Sequence, residues 1–243
     1  MSALSWKPDV EDLASAGVSL TAGQVEALAA YEGAVIAANK KFNLIARVSS
    51  TSVRDHVLDS LSLLATGEIM AGRRSCDIGS GAGFPGLPLK IAAPELELLL
   101  IEANTKKAAF LRSVIEELAL KQVEVFQGRA EEAGRDAIWR ESMDLVFSRA
   151  VATLPVLLEY ALPLTKVGGR FLAMKGPKVA AELDPGKEAA RRLGGRLEAP
   201  RELPAFWSGR GRVIVPAVKV APGDERYPRR AGIPNKRPLG GRL

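Results

Sequence analysis

Cys76-Asp77-Ile78-Gly79-Ser80-Gly81-Ala82-Gly83-Phe84-Pro85-Gly86 decides how the rest of the 243-residue chain is read. A short apolar run ends in it and a helical pattern begins after it. Gly79, Gly81 and Gly83 carry no Cβ, so the backbone there can turn sharply and come close to a ligand. Pro85 suits the first turn of the following helix, where its missing N–H would be unpaired anyway. The stretch predicts strand, ligand-hugging loop and helix. Two cofactor classes use such a loop. Gly81-x-Gly83-x-x-Gly86 satisfies the dinucleotide fingerprint, with Glu102 about the right distance beyond it to hold a ribose. S-adenosylmethionine enzymes carry an acidic residue at the strand end before Gly-x-Gly-x-Gly. Asp77 supplies that carboxylate, which suits a cofactor cationic at sulfonium and amine better than a bare helix N-terminus would. A glycine turn with no ligand is the third reading.

Upstream, Pro8 to about Glu68 is helical in pattern. Thr21-x-x-Gln24 forms a capping box, and Val25, Leu28, Ala29, Val35 and Ile36 recur at helical spacing. After a Ser/Thr cluster, Val53, Val57, Leu58, Leu61 and Leu64 share a second face. Residues 1–70 are expected to form a helical cap. His56, the only histidine, lies beside Arg54, Asp55 and Asp59; its two readings are a hydrogen bond to a neighbour and a direct contact with substrate. With one His and one Cys, neither a His-rich nor a Cys-based metal site is expected.

Downstream, strand and helix alternate. Ser75–Ile78 is the first expected strand, followed by a helix over 84–93. Glu95-Leu96-Glu97-Leu98-Leu99-Leu100-Ile101-Glu102 reads as a strand buried on both faces, as in a parallel sheet. A helix over 106–120, a strand over 123–128, a strand over 143–147, a helix over 154–165 and a strand within 168–176 follow. This alternation predicts a doubly wound α/β core over 71–222, with ligands at the carboxyl ends of the strands. Those ends collect Asp77 and Gly79, Glu102 to Asn104, Gly128 to Glu131, Arg149 and Lys175. Beyond Pro177 a polar helix is expected to break at Asp184-Pro185-Gly186. Leu197–Leu203 and Arg212–Val220 are expected to form a terminal antiparallel pair, with Pro216 at an edge or bulge.

Composition bounds the partners. No stretch reaches the uncharged apolar length of a membrane span, and Met1 to Asp9 lacks the pattern of a secretory signal. A lone Cys76 leaves no disulfide framework, so a soluble protein of the reducing cytoplasm is expected. The net charge is +6, and residues 221–243 hold six basic residues against two acidic ones. A basic tail over 223–243, rich in Pro and Gly, reads either as a phosphate-backbone contact or as a solvated terminus.

Asp77 to Gly86, Ser148-Arg149-Ala150-Val151-Ala152 and Tyr227-Pro228-Arg229-Arg230-Ala231-Gly232-Ile233-Pro234-Asn235-Lys236-Arg237-Pro238-Leu239 stand in one order in this chain. In that order the chain resembles the bacterial ribosomal RNA small subunit methyltransferase G family, also called glucose-inhibited division protein B. Asn39 to Leu44 and His56-Val57-Leu58-Asp59-Ser60-Leu61 extend the resemblance into the cap. It implies a Rossmann-like class I S-adenosylmethionine-dependent methyltransferase fold, and methylation of N7 of a guanine in the 530 loop of 16S ribosomal RNA, at the position conventionally numbered 527. It also implies cofactor contacts at Gly79, Phe84, Glu102, Ala103, Asn104, Ala130, Glu131 and Arg149, to which the loop reading adds Asp77, Gly81 and Gly83. Ile101-Glu102-Ala103-Asn104 departs from the aspartate and serine of many relatives, which keeps the ribose-binding carboxylate on a longer arm.

Guanine N7 carries an in-plane lone pair and loses no proton on methylation, so the reaction calls for placement and no general base. Arg149 and Lys175 are the residues expected to hold the guanine or its phosphate, with an ion pair to a strand-end carboxylate as the other reading of Arg149. Lys40, Arg54, His56, Lys175, Arg229, Arg230, Lys236 and Arg237 are the expected RNA contacts. The partner is expected to be 16S ribosomal RNA, within a small-subunit particle, and the protein a monomer. Rival readings are an NAD-dependent enzyme, a non-catalytic ribosome-assembly factor and a methyltransferase with another substrate.

Overall fold

Leu98 and Leu100 pack into one apolar cluster while Leu99 and Ile101 pack into another, and all four are buried. A strand apolar on both faces must lie inside a sheet covered on both sides. The computed structural model, which describes residues 6–45, 52–204 and 212–241, shows that arrangement. In chain order the elements are α1 (Lys7–Ser15), α2 (Ala22–Lys41), α3 (Val53–Leu61), β1 (Arg74–Ile78), α4 (Gly86–Ala92), β2 (Glu97–Glu102), α5 (Thr105–Glu117), β3 (Val123–Gln127) and α6 (Ala130–Ala133). There follow β4 (Met143–Arg149), α7 (Leu154–Ala161), β5 (Thr165–Lys175), α8 (Leu183–Arg192), β6 (Gly195–Leu197), β7 (Arg201–Leu203), β8 (Arg212–Lys219) and α9 (Ile233–Lys236). The strands form one sheet in the order β3-β2-β1-β4-β5-β8-β6, with β7 also on β8. The pairs among β1 to β5 are all parallel, and β8 is antiparallel to β5.

The chain runs outward from β1 through β2 to β3, then returns to β4 on the other side of β1. The reversal opens a crevice beyond the carboxyl end of β1, where doubly wound sheets bind ligands. The cap closes one face. Leu28, Tyr31, Leu58 and Leu61 share a core with Leu100 and Phe147, so cap and sheet are packed continuously. Two bonds fix the cap to the loop and to the end of α4: the Tyr31 hydroxyl donates to the Ala82 carbonyl at 2.7 Å and Gln24 Nε2 donates to the Ala92 carbonyl at 2.8 Å. The Thr21–Gln24 capping box is present, and a second, Ser52–Asp55, starts α3.

Several sequence expectations are corrected. The helix after the loop starts at Gly86, with Pro85 as its N-cap. The helix expected over 154–165 stops at Ala161, because Thr165 already begins β5. Asp184-Pro185-Gly186 do not break a helix; they lie in the first turn of α8, where Pro185 forfeits no intrahelical bond. β6 and β7 are separate partners of β8, and β8 lies inside the sheet, pairing β5 on its other side. Pro216 is nonetheless tolerated. Its carbonyl accepts from Glu198 N–H at 2.8 Å on the β6 and β7 side, so its donorless nitrogen faces the gap between those two short strands.

Candidate functional site

The loop after β1 rises from a buried start. Burial pushes the Asp77 carboxyl up to about 7, against the Gly86 backbone bond and the Arg149 charge, which pull it down. Its Oδ2 accepts Gly86 N–H at 3.0 Å, while Oδ1 has no partner among the described residues. Gly79 adopts φ +71, and a Cβ there would lie 2.7 Å from Val151 Cγ2. Only glycine lets the loop pass so close to the turn after β4.

Glu102 ends β2 and ties the loop to the next helix. Its Oε2 accepts Gly81 N–H at 2.8 Å and its Oε1 accepts Asn104 N–H at 2.7 Å. A carboxylate has about four lone-pair positions, so two remain for hydroxyl donors. Asn104 serves the fold locally: its Oδ1 caps α5 by accepting from Lys106 and Lys107 N–H. Glu102 borders a cleft of about 220 Å³ at the strand ends, together with Gly79, Ala103, Gly128, Ala130, Glu131, Val151, Tyr160 and Asn235. Glu131 is 3% exposed, and its Oε1 accepts Gly232 N–H from the tail at 2.8 Å. Burial, with the Glu131 and Glu159 charges, pushes Tyr160 up to about 12, so its hydroxyl stays protonated and bonds to Glu131.

Behind the loop lies a charged cluster. Arg149 Nη1 donates to Asp59 Oδ2 at 2.7 Å and to the His56 carbonyl at 3.1 Å, and its guanidinium lies 4.9 Å from the centroid of the Phe84 ring. Asp59 is 1% exposed and also accepts from Arg212 Nε at 2.8 Å. Arg149 makes an ion pair, as one of its readings expected, but its carboxylate is Asp59 of the cap helix α3 and not one at a strand end. Phe84 is 6% exposed and packs edge-on to Tyr31 and tilted against His56. Burial and the Arg149 charge lower His56 to about 4, leaving a neutral imidazole at neutral pH. Lys175 Nζ is held by Glu182 at 2.7 Å and the Ala152 carbonyl at 3.0 Å.

The expected RNA contacts divide. Arg54 pairs with Asp9 and Glu32 and covers the Trp6 ring, so it braces the cap. Arg229 is clamped by Glu159, which is fully buried and accepts from its N–H, Nε and Nη2. Lys40, Arg230, Lys236 and Arg237 are exposed. The tail is packed: Leu239 is 6% exposed inside the second core, and Arg135 and Arg140 donate to the Pro228 and Tyr227 carbonyls, both at 2.7 Å. Arg242, counted in the tail charge, lies outside the described residues. The sequence reading missed Asp59, Glu159, Tyr160, Val151 and Asn235. Asp59 and Glu159 left a signal, each a lone carboxylate among apolar helix neighbours. Among the described residues no group of three or more His, Cys, Asp or Glu could hold a metal ion, and no helix is long and apolar enough to cross a membrane.

The polar groups of the cleft fit S-adenosylmethionine. Glu102 lines the cleft and retains acceptor capacity for a ribose, and Gly79 beside it brings the loop backbone close to Val151 where a Cβ would collide, whereas Asp77 is fully buried, outside the cleft lining, with one carboxylate oxygen unpartnered. The family model and the sequence relatives agree on one family. The chain matches the family model described as rRNA small subunit methyltransferase G over residues 24–201. It is 44% identical over 224 residues to a ribosomal RNA small subunit methyltransferase G of Pelotomaculum thermopropionicum, covering 92% of this chain and 94% of that one. A protein of the same description from Symbiobacterium thermophilum is 45% identical over 235 residues, covering 94% and 96%. Among solved structures, cofactor-bound Rv0187 from MTB shares the fold with a TM-score of 0.56 at 20% identity, over 80% of this chain and 89% of that chain. A SAM dependent methyltransferase from Aquifex aeolicus does so with a TM-score of 0.51 at 21% identity, over 67% and 90%.

Proposed function

The chain belongs to the rRNA small subunit methyltransferase G family, and from that membership and its cleft we infer that it is an S-adenosylmethionine-dependent methyltransferase acting on N7 of a guanine in 16S ribosomal RNA. The observation that carries the reading is the Glu102 carboxylate, anchored by Gly81 and Asn104 at the mouth of the cleft beyond β1 and β2. The substrate is the 530 loop within a small-subunit particle, met by the protein as a monomer in the cytoplasm.

Bound in the cleft, S-adenosylmethionine supplies an electrophilic methyl group on a sulfonium. The protein's own groups have little acid–base work to do, because N7 attacks with a lone pair it already holds. The titratable side chains around the loop suit that task. Burial raises Cys76 and Tyr31 well above their ordinary values, which keeps thiol and phenol protonated, and His56 is a weak base at about 4. None of the three offers a nucleophile or a strong base to compete for the methyl.

Glu102 and Gly79 to Gly83 hold the cofactor, with Ala130 and Glu131 on its adenine side. Arg149 and Lys175 act as positioning residues. The first fixes α3 against the end of β4, and the second fixes the turn at Ala152 through which a guanine would approach. Lys40, Arg230, Lys236 and Arg237 meet phosphates.

The test is methyl transfer from labelled S-adenosylmethionine to naked 16S ribosomal RNA and to small subunits, followed by mapping of the product. N7-methylguanosine carries a positive charge that makes its strand cleavable after reduction, which locates it. Label at a single guanine of the 530 loop is the expected result. Label at another atom, or none with either substrate, refutes the reading.

A further inference from the structure

The tail contributes to the cofactor cleft as well as to its charge. From Tyr227 onward it crosses α6 and α7, fastened in turn by Arg140, Arg135, Glu159 and Glu131. The last two are buried carboxylates, 0% and 3% exposed, so the tail satisfies groups that would otherwise be stranded in the core. Gly232, at φ +80, then turns the chain into α9, whose Pro234 is buried while the next residue, Asn235, is exposed. Asn235 lines the same cleft as Glu102, Ala103 and Ala130, and its amide has no partner among the described residues. A neutral amide offers two donors and an acceptor, the complement of a purine edge or a ribose hydroxyl.

We propose that Asn235 is a cofactor-contact residue, a wall that the tail lends to the adenosine end of the cleft. This rests on the reading of the cleft as the site of S-adenosylmethionine. Asn235 shares the cleft lining with Glu102, which ends β2, and Ala130, which begins α6 just after β3, the residues read above as meeting the ribose and the adenine, so the contact is assigned to the nucleoside and not to the amino-acid end.

The test is equilibrium binding to the full-length protein, by calorimetry, of two probes. S-adenosylhomocysteine carries both ends, and 5′-methylthioadenosine keeps the nucleoside and lacks the amino acid. Asn235→Ala should weaken both by the same factor, about threefold to tenfold for one missing hydrogen bond, at an unchanged thermal midpoint. Asn235→Asp, which keeps the shape and removes the donors, should lose at least as much and covers the case in which the alanine variant is itself less stable. Wild-type affinity for both probes in either variant, or a loss confined to S-adenosylhomocysteine, overturns the assignment of Asn235 alone. A wild-type protein that binds neither probe overturns the reading of the cleft and the assignment with it.

Discussion

Replacing Asp59 by alanine should do more damage than any other single change on the cap. The carboxylate is 1% exposed and stands between two guanidinium groups, 2.7 Å from Arg149 Nη1 and 2.8 Å from Arg212 Nε. Without it the Arg149 charge, itself 8% exposed, keeps only the His56 carbonyl and the Phe84 ring, with Arg212 as a like charge nearby. Removing one partner of a buried ion pair costs about 3–5 kcal/mol, since the other charge is left desolvated and unpaired. Arg212 is 30% exposed and can turn to water, so its half of the interaction adds little beyond that. For a chain of this size such a loss lowers the thermal midpoint by roughly 6–20 °C. Urea unfolding followed by circular dichroism reads the free energy directly. The Asp59→Leu, Arg149→Met double variant should recover most of it, because an apolar pair of similar volume has no charge to desolvate. A loss below about 1 kcal/mol for Asp59→Ala, or a double variant no better than the single, refutes the reasoning and returns Arg149 to the ligand.

Asp77 gives stability a pH dependence of its own. Its folded value of about 7 lies above the ordinary 3.8, so the folded state binds the extra proton between those limits, and its contribution falls as pH rises from about 4 to about 7. His56, lowered to about 4, acts in the opposite sense between about 4 and 6.5, so the comparison must be made against Asp77→Asn, which should lack the Asp77 slope and be at least as stable at pH 8; equal slopes in the two proteins reject it. Gly79→Ala puts a Cβ at φ +71 and within 2.7 Å of Val151. About 1–2 kcal/mol of stability should go to the backbone alone, cofactor affinity should fall, and Val151→Ala in the same chain should relieve the collision and not the backbone strain; a Gly79→Ala protein with wild-type stability and binding sinks the close-approach argument. Alanine at Arg230, Lys236 and Arg237 should flatten the salt dependence of RNA binding by about 0.7–0.9 in log–log slope for each phosphate no longer neutralised. An unaltered slope would move the RNA elsewhere. Arg229→Ala should instead lower the thermal midpoint, because Glu159 is left buried and unpaired.

The parts of the fold legible in the sequence were those governed by local pattern. β2 announces its two buried faces in consecutive apolar residues, the capping box at Thr21 needs only residues three apart, and the loop from Gly79 to Gly83 is specified by missing Cβ atoms. Pro216 misleads because its fate depends on what lies beside it. A proline inside a strand signals an edge, and here the edge is local, a gap between β6 and β7 that only the full sheet order creates.

The site was legible where backbone chemistry selects residues and obscure where charges pair over distance. Glu102 could be placed at the cleft because the apolar run before it marks the second strand and puts its carboxylate at that strand's end. Arg149 and Arg229 could not, since an arginine does not say whether its carboxylate sits on a ligand, a phosphate or a neighbour 90 or 70 residues away. The carboxylates are the better witnesses. Asp59 lies in Val57-Leu58-Asp59-Ser60-Leu61 and Glu159 in Val156-Leu157-Leu158-Glu159-Tyr160-Ala161, buried runs that cannot house a charge without a partner. Each therefore demands a cation from elsewhere in the chain, and each demand is met by an arginine that the sequence points toward the ligand or toward RNA. The positive charge left for nucleic acid is then smaller than the composition suggests, and of the expected RNA contacts it rests on Lys40, Arg230, Lys236 and Arg237. Three of those four, Arg230, Lys236 and Arg237, stand in the same stretch of the packed tail as α9, which also carries Asn235 at the lining of the cleft.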